Sequence, residues 1–322
     1  MRAIVKSFLT TVLFFSSVAM AGDTYVTVED AGPDYAIQGE YVGEVKHDGQ
    51  ALKLGLQVIA LGDQKFDAVA YPGGLPGDGW VGDEKFRATG ATADGETKVT
   101  AAGHGYAVLK NGEALLYSET GEARGTLKKV ERKSPTLDAK PPAGARVLFD
   151  GTTAEHFKGG KITMKDLLAA DCETVEKFDD HTLHIEFRTP FRPAARGQER
   201  GNSGVYVQGR YECQVLDSFG LEGENNECGG IYSIAKPKVN ACFPPLTWQT
   251  YDMDFKAAVF ENDEKIKNAR VTIRHNGIVI HNDLELTHGT PGKNPEAAGP
   301  DVIYLQGHGN PVVYRNIWVV KK

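Results

Sequence analysis

The sequence predicts an all-β protein in two parts, a small β-rich domain followed by a β-sandwich of the jelly-roll type. Three observations carry that prediction. Short apolar runs alternate with turns from one end to the other, and long helical periods are absent. Glycine is abundant, at 37 residues, and spread without a repeat, as many tight turns require. A length of 322 residues suits two domains of ordinary size, and Lys140-Pro141-Pro142-Ala143-Gly144 supplies a stiff, turn-prone boundary between them.

Taken in order, residues 1–21 have the form of a secretory leader. Arg2 and Lys6 make its charged start, Phe8 to Phe15 its apolar stretch, and Ala19-Met20-Ala21 a small-residue cleavage site. That stretch is too short to cross a bilayer, so the expectation is a periplasmic or extracellular protein without membrane insertion. Residues 22–136 form the β-rich domain. Leu54 to Ala60 and Ala68 to Tyr71 read as strands, and Gly73 to Gly79 as a turn cluster. Asn111-Gly112, between Ala107–Lys110 and Ala114–Tyr117, is a two-residue hairpin turn. No Lys-Ser/Thr follows the glycine cluster, which removes a phosphate-loop reading, and no catalytic constellation stands out in this part. Residues 137–145 are the linker.

From 146 to 322 the clearest strands are His184–Arg188, Gly204–Val207, Tyr211–Leu216, Tyr251–Phe255, Val271–Ile273 and Ile317–Val320, with a second hairpin turn at Asn276-Gly277. Short strands at this spacing predict a sandwich or jelly roll. One short helix is expected over Met164–Ala170. Trp248 and Trp318 lie in apolar strand contexts that suit a core.

Composition narrows the partners. With 36 basic and 43 acidic side chains the net charge is −7, which opposes nucleic-acid binding through a basic surface. The four cysteines, Cys172, Cys213, Cys228 and Cys242, contain no C-x-x-C pair, so no structural zinc is expected. Cys228 and Cys242 flank a Gly- and Pro-containing stretch that a disulfide would staple in an exported chain. Four cysteines nevertheless allow three pairings. The acidic run Glu222 to Glu227 lacks the ordered spacing of a calcium loop and reads as a solvated turn.

The second part carries a family resemblance. Leu148-Phe149-Asp150-Gly151 opens it, and Arg188 ends an early strand. Gly201-Asn202-Ser203-Gly204-Val205-Tyr206 then leads into Gly209-Arg210-Tyr211-Glu212-Cys213-Gln214-Val215-Leu216-Asp217-Ser218. Gly230-Ile231-Tyr232, Trp248-Gln249-Thr250-Tyr251-Asp252, Leu305-Gln306-Gly307-His308-Gly309 and Arg315-Asn316-Ile317-Trp318 follow. In that order they resemble the secreted 3-keto-disaccharide hydrolase family, over about residues 147–322. The resemblance implies a concanavalin-like jelly roll related to laminarinase-type glycosidases, and a carbohydrate substrate. It says nothing about residues 22–140. The chain departs from the family at Trp248-Gln249, where Trp-Asn is usual, and at Gln306-Gly307-His308, where Gln-Asp-His is usual and an acidic group is lost.

The residues themselves point to a site. On a strand, Glu212 and Gln214 face one way and Cys213 the other. Asp217 falls on the wrong face unless a bulge intervenes. Laminarinase-type enzymes place their carboxylates on such a strand, but the amide at Gln214 breaks an acid–acid–acid pattern and counts against an ordinary retaining glycosidase. Asn202, Ser203 and Tyr206 have the groups that bind sugar hydroxyls and stack on sugar rings. Arg188 is a candidate partner for an oxyanion, and His308, between glycines, is a candidate base or metal ligand.

If the substrate is oxidised at carbon 3, as the resemblance implies, the ketone acidifies the hydrogen on carbon 2. A modest base can then remove it, the group on carbon 1 departs, and water adds. The expected roles are Glu212 or His308 as base, Asp217 as second acid/base or metal ligand, and Arg188 or a divalent cation as stabiliser of the enolate. Gln214, Asn202, Ser203 and Tyr206 would hold the sugar. Glu212, Asp217 and His308 are also the candidate metal ligands, and a divalent cation is the one cofactor this chemistry invites. Two other readings stay open, a non-catalytic carbohydrate-binding module and an endo-glucanase-like hydrolase, because a jelly roll serves all of these purposes.

Overall fold

A computed structural model of the chain describes residues 23–47, 49–82 and 84–322; the expected leader lies outside the described residues. The fold is all-β. Among the described residues the helical pieces are Gly32–Ile37 and a single 3-10 turn at Gly197–Glu199.

The first part closes into a barrel. Its strands are Gly39–His47, Gln50–Gly62, Lys65–Pro72, Phe86–Ala93, Glu96–Ala101, Gly105–Lys110, Glu113–Tyr117 and Ala123–Val130, and the last pairs antiparallel with the first. Closure leaves no open sheet edge. Alternation sends Leu54, Leu56, Val58 and Ala60 inward together with Phe66, Ala68, Leu109 and Leu127. The Asn111-Gly112 turn forms as expected, with φ of 53° and 75°, a left-handed pair that these two residues adopt at low cost.

The second part is a two-sheet sandwich. The larger sheet has the order Ile162–Thr163, Leu167–Ala169, Val313–Lys321, His181–Arg188, Gln249–Lys256, Ala269–His275 and Ile278–Leu286, and Arg146–Phe149 also pairs with Val313–Lys321. The smaller sheet has the order Phe157–Lys158, Cys172–Thr174, Tyr304–Leu305, Ser203–Val207 and Tyr211–Val215. Between them lie Leu183, Ile185, Phe187, Tyr251, Met253 and Phe255 from one side, and Val205, Val207, Tyr211, Cys213, Val215 and Leu305 from the other. Asn276-Gly277 makes the second left-handed hairpin turn.

The expected helix at Met164–Ala170 does not form. Met164 and Lys165 take φ of 48° and 79°, which a right-handed helix cannot accept. They turn a small hairpin whose second strand, Leu167–Ala169, pairs with Val313–Lys321. The apolar run is thus a sheet segment that buries Leu167 and Leu168.

The start of the proline-containing linker and the residues just before it are docked across the outer face of the larger sheet. Ser134 and Thr136 bond Thr250 and Asp252 at 2.6 Å each, and the Asp138 amide donates to Glu186 at 2.6 Å. Asn316 and the Trp318 indole both donate to the Ala139 carbonyl. Burial works against ionisation of Glu186, but His184, Asn316, the Asp138 amide and Arg315 outweigh it and hold its carboxyl below the ordinary value. Both tryptophans sit in this outer layer, where Trp318 is buried, as expected of a core residue, and Trp248 is only half-buried. Trp318 stacks on His184 at 4.9 Å, and the guanidinium groups of Arg188 and Arg315 lie 5.1 and 4.3 Å from the Trp248 ring. Barrel and sandwich also pack directly, through Ile59, Val69 and Tyr71 on Phe219 and through Phe191 and Leu246, which join the barrel's apolar cluster.

The expected Cys228–Cys242 disulfide is absent, and all four cysteines are free, buried thiols. Each of that pair is satisfied in another way. Cys228 Sγ lies 3.2 Å from the Tyr251 hydroxyl, and Cys242 Sγ lies 3.4 Å from the Phe243 carbonyl. Burial pushes the Cys172, Cys213 and Cys242 thiols up, so they stay neutral.

Candidate active site

The strand Tyr211–Val215 sends Tyr211, Cys213 and Val215 into the core and therefore turns Glu212 and Gln214 to the outer face of the smaller sheet. Its partner strand Ser203–Val207 presents Gly204 and Tyr206 there, paired with Gln214 and Glu212 respectively. Tyr304 and Gln306 extend the same face from the next strand.

Glu212 is the centre of this face. It is 3% exposed, and burial pushes its carboxyl up to about 7, a rise that the Tyr206 hydrogen bond partly offsets. The Tyr206 hydroxyl donates to Glu212 Oε2 at 2.8 Å and receives a hydrogen bond from Gln306 Nε2 at 3.1 Å. Its own pKa is driven far up, first by burial and then by Glu212, so it remains a neutral phenol. Gly204 makes room for the carboxylate. A Cβ at that position would overlap Glu212 Oε1 and lie 3.0 Å from its Cδ. Behind Tyr206 the Tyr304 ring is 5.5 Å away, and Lys293 sits 4.5 Å above that ring while pairing with Glu173 at 2.6 Å.

The other expected residues are distributed differently. Asn202 and Gln214 are buried and bond each other at 2.7 Å, and Asn202 also donates to Gln198. They hold the loop ahead of the strand. Ser203 points into the sandwich, where its hydroxyl contacts the Tyr314 hydroxyl and the Gln306 carbonyl at 2.6 Å each; it braces Gln306 and does not face a ligand. His308 is exposed, with its backbone carbonyl bonded by Asn310.

Asp217 is not presented to solvent. Val215 and Leu216 both pack into the core, so the alternation slips there. Asp217 then meets Arg200 in a buried pair, at 3.0 and 2.6 Å to Nε and Nη2, with exposures of 1% and 5%. That pairing also disposes of the expected metal set. Among the described residues no three His, Cys, Asp or Glu side chains are grouped to hold a metal ion, so Glu212, Asp217 and His308 do not form one. Arg188 lies on the opposite side of the sandwich, on the outer face of the larger sheet. It stacks on Trp248 and donates to the Val26 carbonyl, so it cannot meet a group held by Glu212. The acidic run is likewise occupied, with Glu222 paired to Lys85 and Arg87 of the barrel.

Lys293, Glu173 and Tyr304 join the site without a sequence signal. No local pattern marks them, because each comes from a single position on a loop or a short strand. The departure at Gly307 has a structural counterpart. A Cβ there would lie 2.8 Å from the carboxyl carbon of Asp171, so an acid contributed by a different segment occupies the space beside that position.

Residues 144–320 match the profile of a family described as the 3-keto-alpha-glucoside-1,2-lyase-like domain. Among solved structures, a Parabacteroides distasonis protein described as a "putative glycosyl hydrolase" shares 30% identity, over 56% of this chain and 85% of its own, with a TM-score of 0.52. Two further proteins from that organism carry the same description. One is 16% identical over 60% of this chain and 98% of its own, with a TM-score of 0.43. The other is 19% identical over 55% and 99%, with a TM-score of 0.40. No curated protein matches the chain.

Proposed function

The chain belongs to the 3-keto-alpha-glucoside-1,2-lyase-like family, and on that premise we propose that it is a glycosyl-hydrolase-like enzyme that opens the glycosidic bond of sugars oxidised at carbon 3. The observation that carries the proposal is the Glu212 carboxyl, buried, raised to about 7 and held by Tyr206 on the polar face of the smaller sheet. A base whose pKa lies near neutrality is suited to removing a proton that a neighbouring ketone has already acidified.

In this reaction Glu212 takes the hydrogen on carbon 2, and the electron pair left behind forms the enolate of the carbon-3 ketone. When the carbonyl reforms, the bond between carbon 1 and the leaving oxygen breaks. The proton held by Glu212 can pass to that oxygen, which restores the carboxylate. The product is an enone. Water adding across it gives net hydrolysis, and release before that step gives net elimination. Tyr206 keeps Glu212 Oε2 engaged and so leaves Oε1 to act. Lys293, paired with Glu173 beside the Tyr304 ring, would stabilise the enolate oxygen in the role expected of Arg188. Export by the leader at residues 1–21 is part of the same proposal. It predicts secreted protein whose first residue is Gly22.

The test is incubation of the purified chain with a 3-keto disaccharide and with its unoxidised parent, each with and without a chelator, followed by mass spectrometry. Release of a keto-monosaccharide or its enone from the oxidised sugar alone supports the proposal. Cleavage of the unoxidised parent at a comparable rate moves the assignment to an ordinary glycosidase. Tight binding of either sugar without any product moves it to a binding module.

A further inference from the structure

An eight-stranded barrel has an interior that side chains can just fill, or that can hold one small ligand. In this barrel the two ends differ. Toward the sandwich the interior is filled by Tyr41, Val58, Phe66, Leu109 and Leu127, and the helix Gly32–Ile37 closes that end, with the Tyr41 hydroxyl bonded to the Ile37 carbonyl. At the far end three small inward residues, Ala70, Ala88 and Ala107, stand among larger ones such as Leu54, Leu56 and Phe86. A cavity of about 210 Å³ is left between them. Alanine is a poor strand former. Its use at an inward position on three of the eight strands leaves room at the expense of both propensity and packing.

The cavity reaches the surface at the strand ends, where Lys46, Glu84, His104 and Arg124 line its rim. Phe86 belongs to the lining, its ring 4.4 Å from the His104 ring, and Arg124 donates to the His104 carbonyl at 3.4 Å. Among the described residues, the lining of this rim includes two permanent cations, Lys46 and Arg124, and one carboxylate, Glu84. The wall below it is mainly apolar, with Tyr106 and Tyr117 also in the lining, and lacks the several converging polar groups that a sugar needs. Its volume lies between the ~150 Å³ cavity that takes up benzene and the ~300 Å³ at which pockets for drug-sized ligands begin.

We propose that the barrel is a binding site for a small amphipathic acid, with an apolar body of roughly ten non-hydrogen atoms inside the alanine-lined cavity and its carboxylate at the rim beside Lys46 and Arg124. The site is separate from Glu212 and does not depend on the sandwich's chemistry.

The test uses the full chain, with octanoate and 1-octanol as probes in calorimetric titration. Octanoate should bind saturably at one site per chain. Ala88→Leu and Ala107→Leu, which fill the cavity, should each weaken it by about tenfold or more, with Tm unchanged or higher. Arg124→Gln should weaken octanoate and leave octanol unaffected. Isotope-filtered NMR on the unsubstituted protein should give contacts from octanoate methylenes to the methyls of Ala70, Ala88 and Ala107, which tests the site even if a leucine variant fails to fold. Absence of saturable binding, binding that both leucine variants retain, or NMR contacts elsewhere would each overturn the proposal. Equal affinity for octanol and octanoate would overturn its anionic part.

Discussion

Replacing Glu212 by glutamine tests both the chemistry and the electrostatics of the sandwich. The carboxyl is pushed from its ordinary 4.5 to about 7 by burial. A folded-state pKa above the unfolded one means that the folded chain holds a proton the unfolded chain releases. The stability this group allows is full below about pH 4.5 and is lost as pH rises toward 7, after which both states are ionised and the loss is constant. The size of the loss follows from a shift of about 2.5 units at ~1.36 kcal/mol each, or roughly 3 kcal/mol. The amide of the Glu212→Gln variant carries no charge at any pH, and its carbonyl can still accept the Tyr206 hydroxyl. The variant should therefore match the wild type near pH 4 and exceed it above pH 7, by roughly 6–12 °C in Tm for a unit of this size. Its turnover of a 3-keto disaccharide should fall by about 10²–10⁴. The assay is thermal unfolding of both proteins from pH 4 to 8, alongside turnover at pH 7.5. A Tm difference that does not change with pH would refute the claim that burial raises this carboxyl. Undiminished turnover would refute its role as base.

Other substitutions separate the remaining roles. Tyr206→Phe removes the one donor that lowers the Glu212 pKa, so the acid limb of the pH–rate profile should move to higher pH; a shift in the other direction would contradict the assigned hydrogen bond. Gly204→Ala drives a methyl into the Glu212 carboxylate, and turnover should drop about tenfold or more while circular dichroism keeps its β signature. Asp217→Asn leaves Arg200 charged and unpaired in a buried setting, which should cost about 3–5 kcal/mol in denaturant unfolding without changing turnover per folded molecule. Arg188→Gln should leave turnover unchanged, since Arg188 lies on the opposite face from Glu212; a large loss would overturn that separation.

Much of this architecture is legible one residue at a time. Asn111-Gly112 and Asn276-Gly277 turn as their dipeptides require, because their left-handed φ is a local property. Alternation along Tyr211–Val215 puts Glu212 and Gln214 on one face and Cys213 on the other without any knowledge of neighbours. Sequence and structure part where a local pattern meets a non-local question. Leu167–Ala169 looks helical in isolation, but two left-handed residues before it and a distant strand beside it make it part of the larger sheet. The linker's prolines mark a boundary, yet nothing in their spacing reveals that Thr136 and Asp138 bond Asp252 and Glu186.

The candidate site divides along the same line. Residue type and period by themselves determined that Glu212 leaves the core, that Tyr206 comes just before its strand, and that the chain is all-β. Only the tertiary structure decided that Arg200 claims Asp217, that Arg188 faces the other way across two sheets, and that Lys293 and Tyr304 arrive where Arg188 was expected. It also decided that Glu212 titrates near 7 and that three alanines leave a void in the barrel. The reason is physical. Backbone periodicity is set by each residue's own φ and ψ and its immediate neighbours, whereas burial, ion pairing and cavity volume are sums over atoms that chain closure brings together from distant positions.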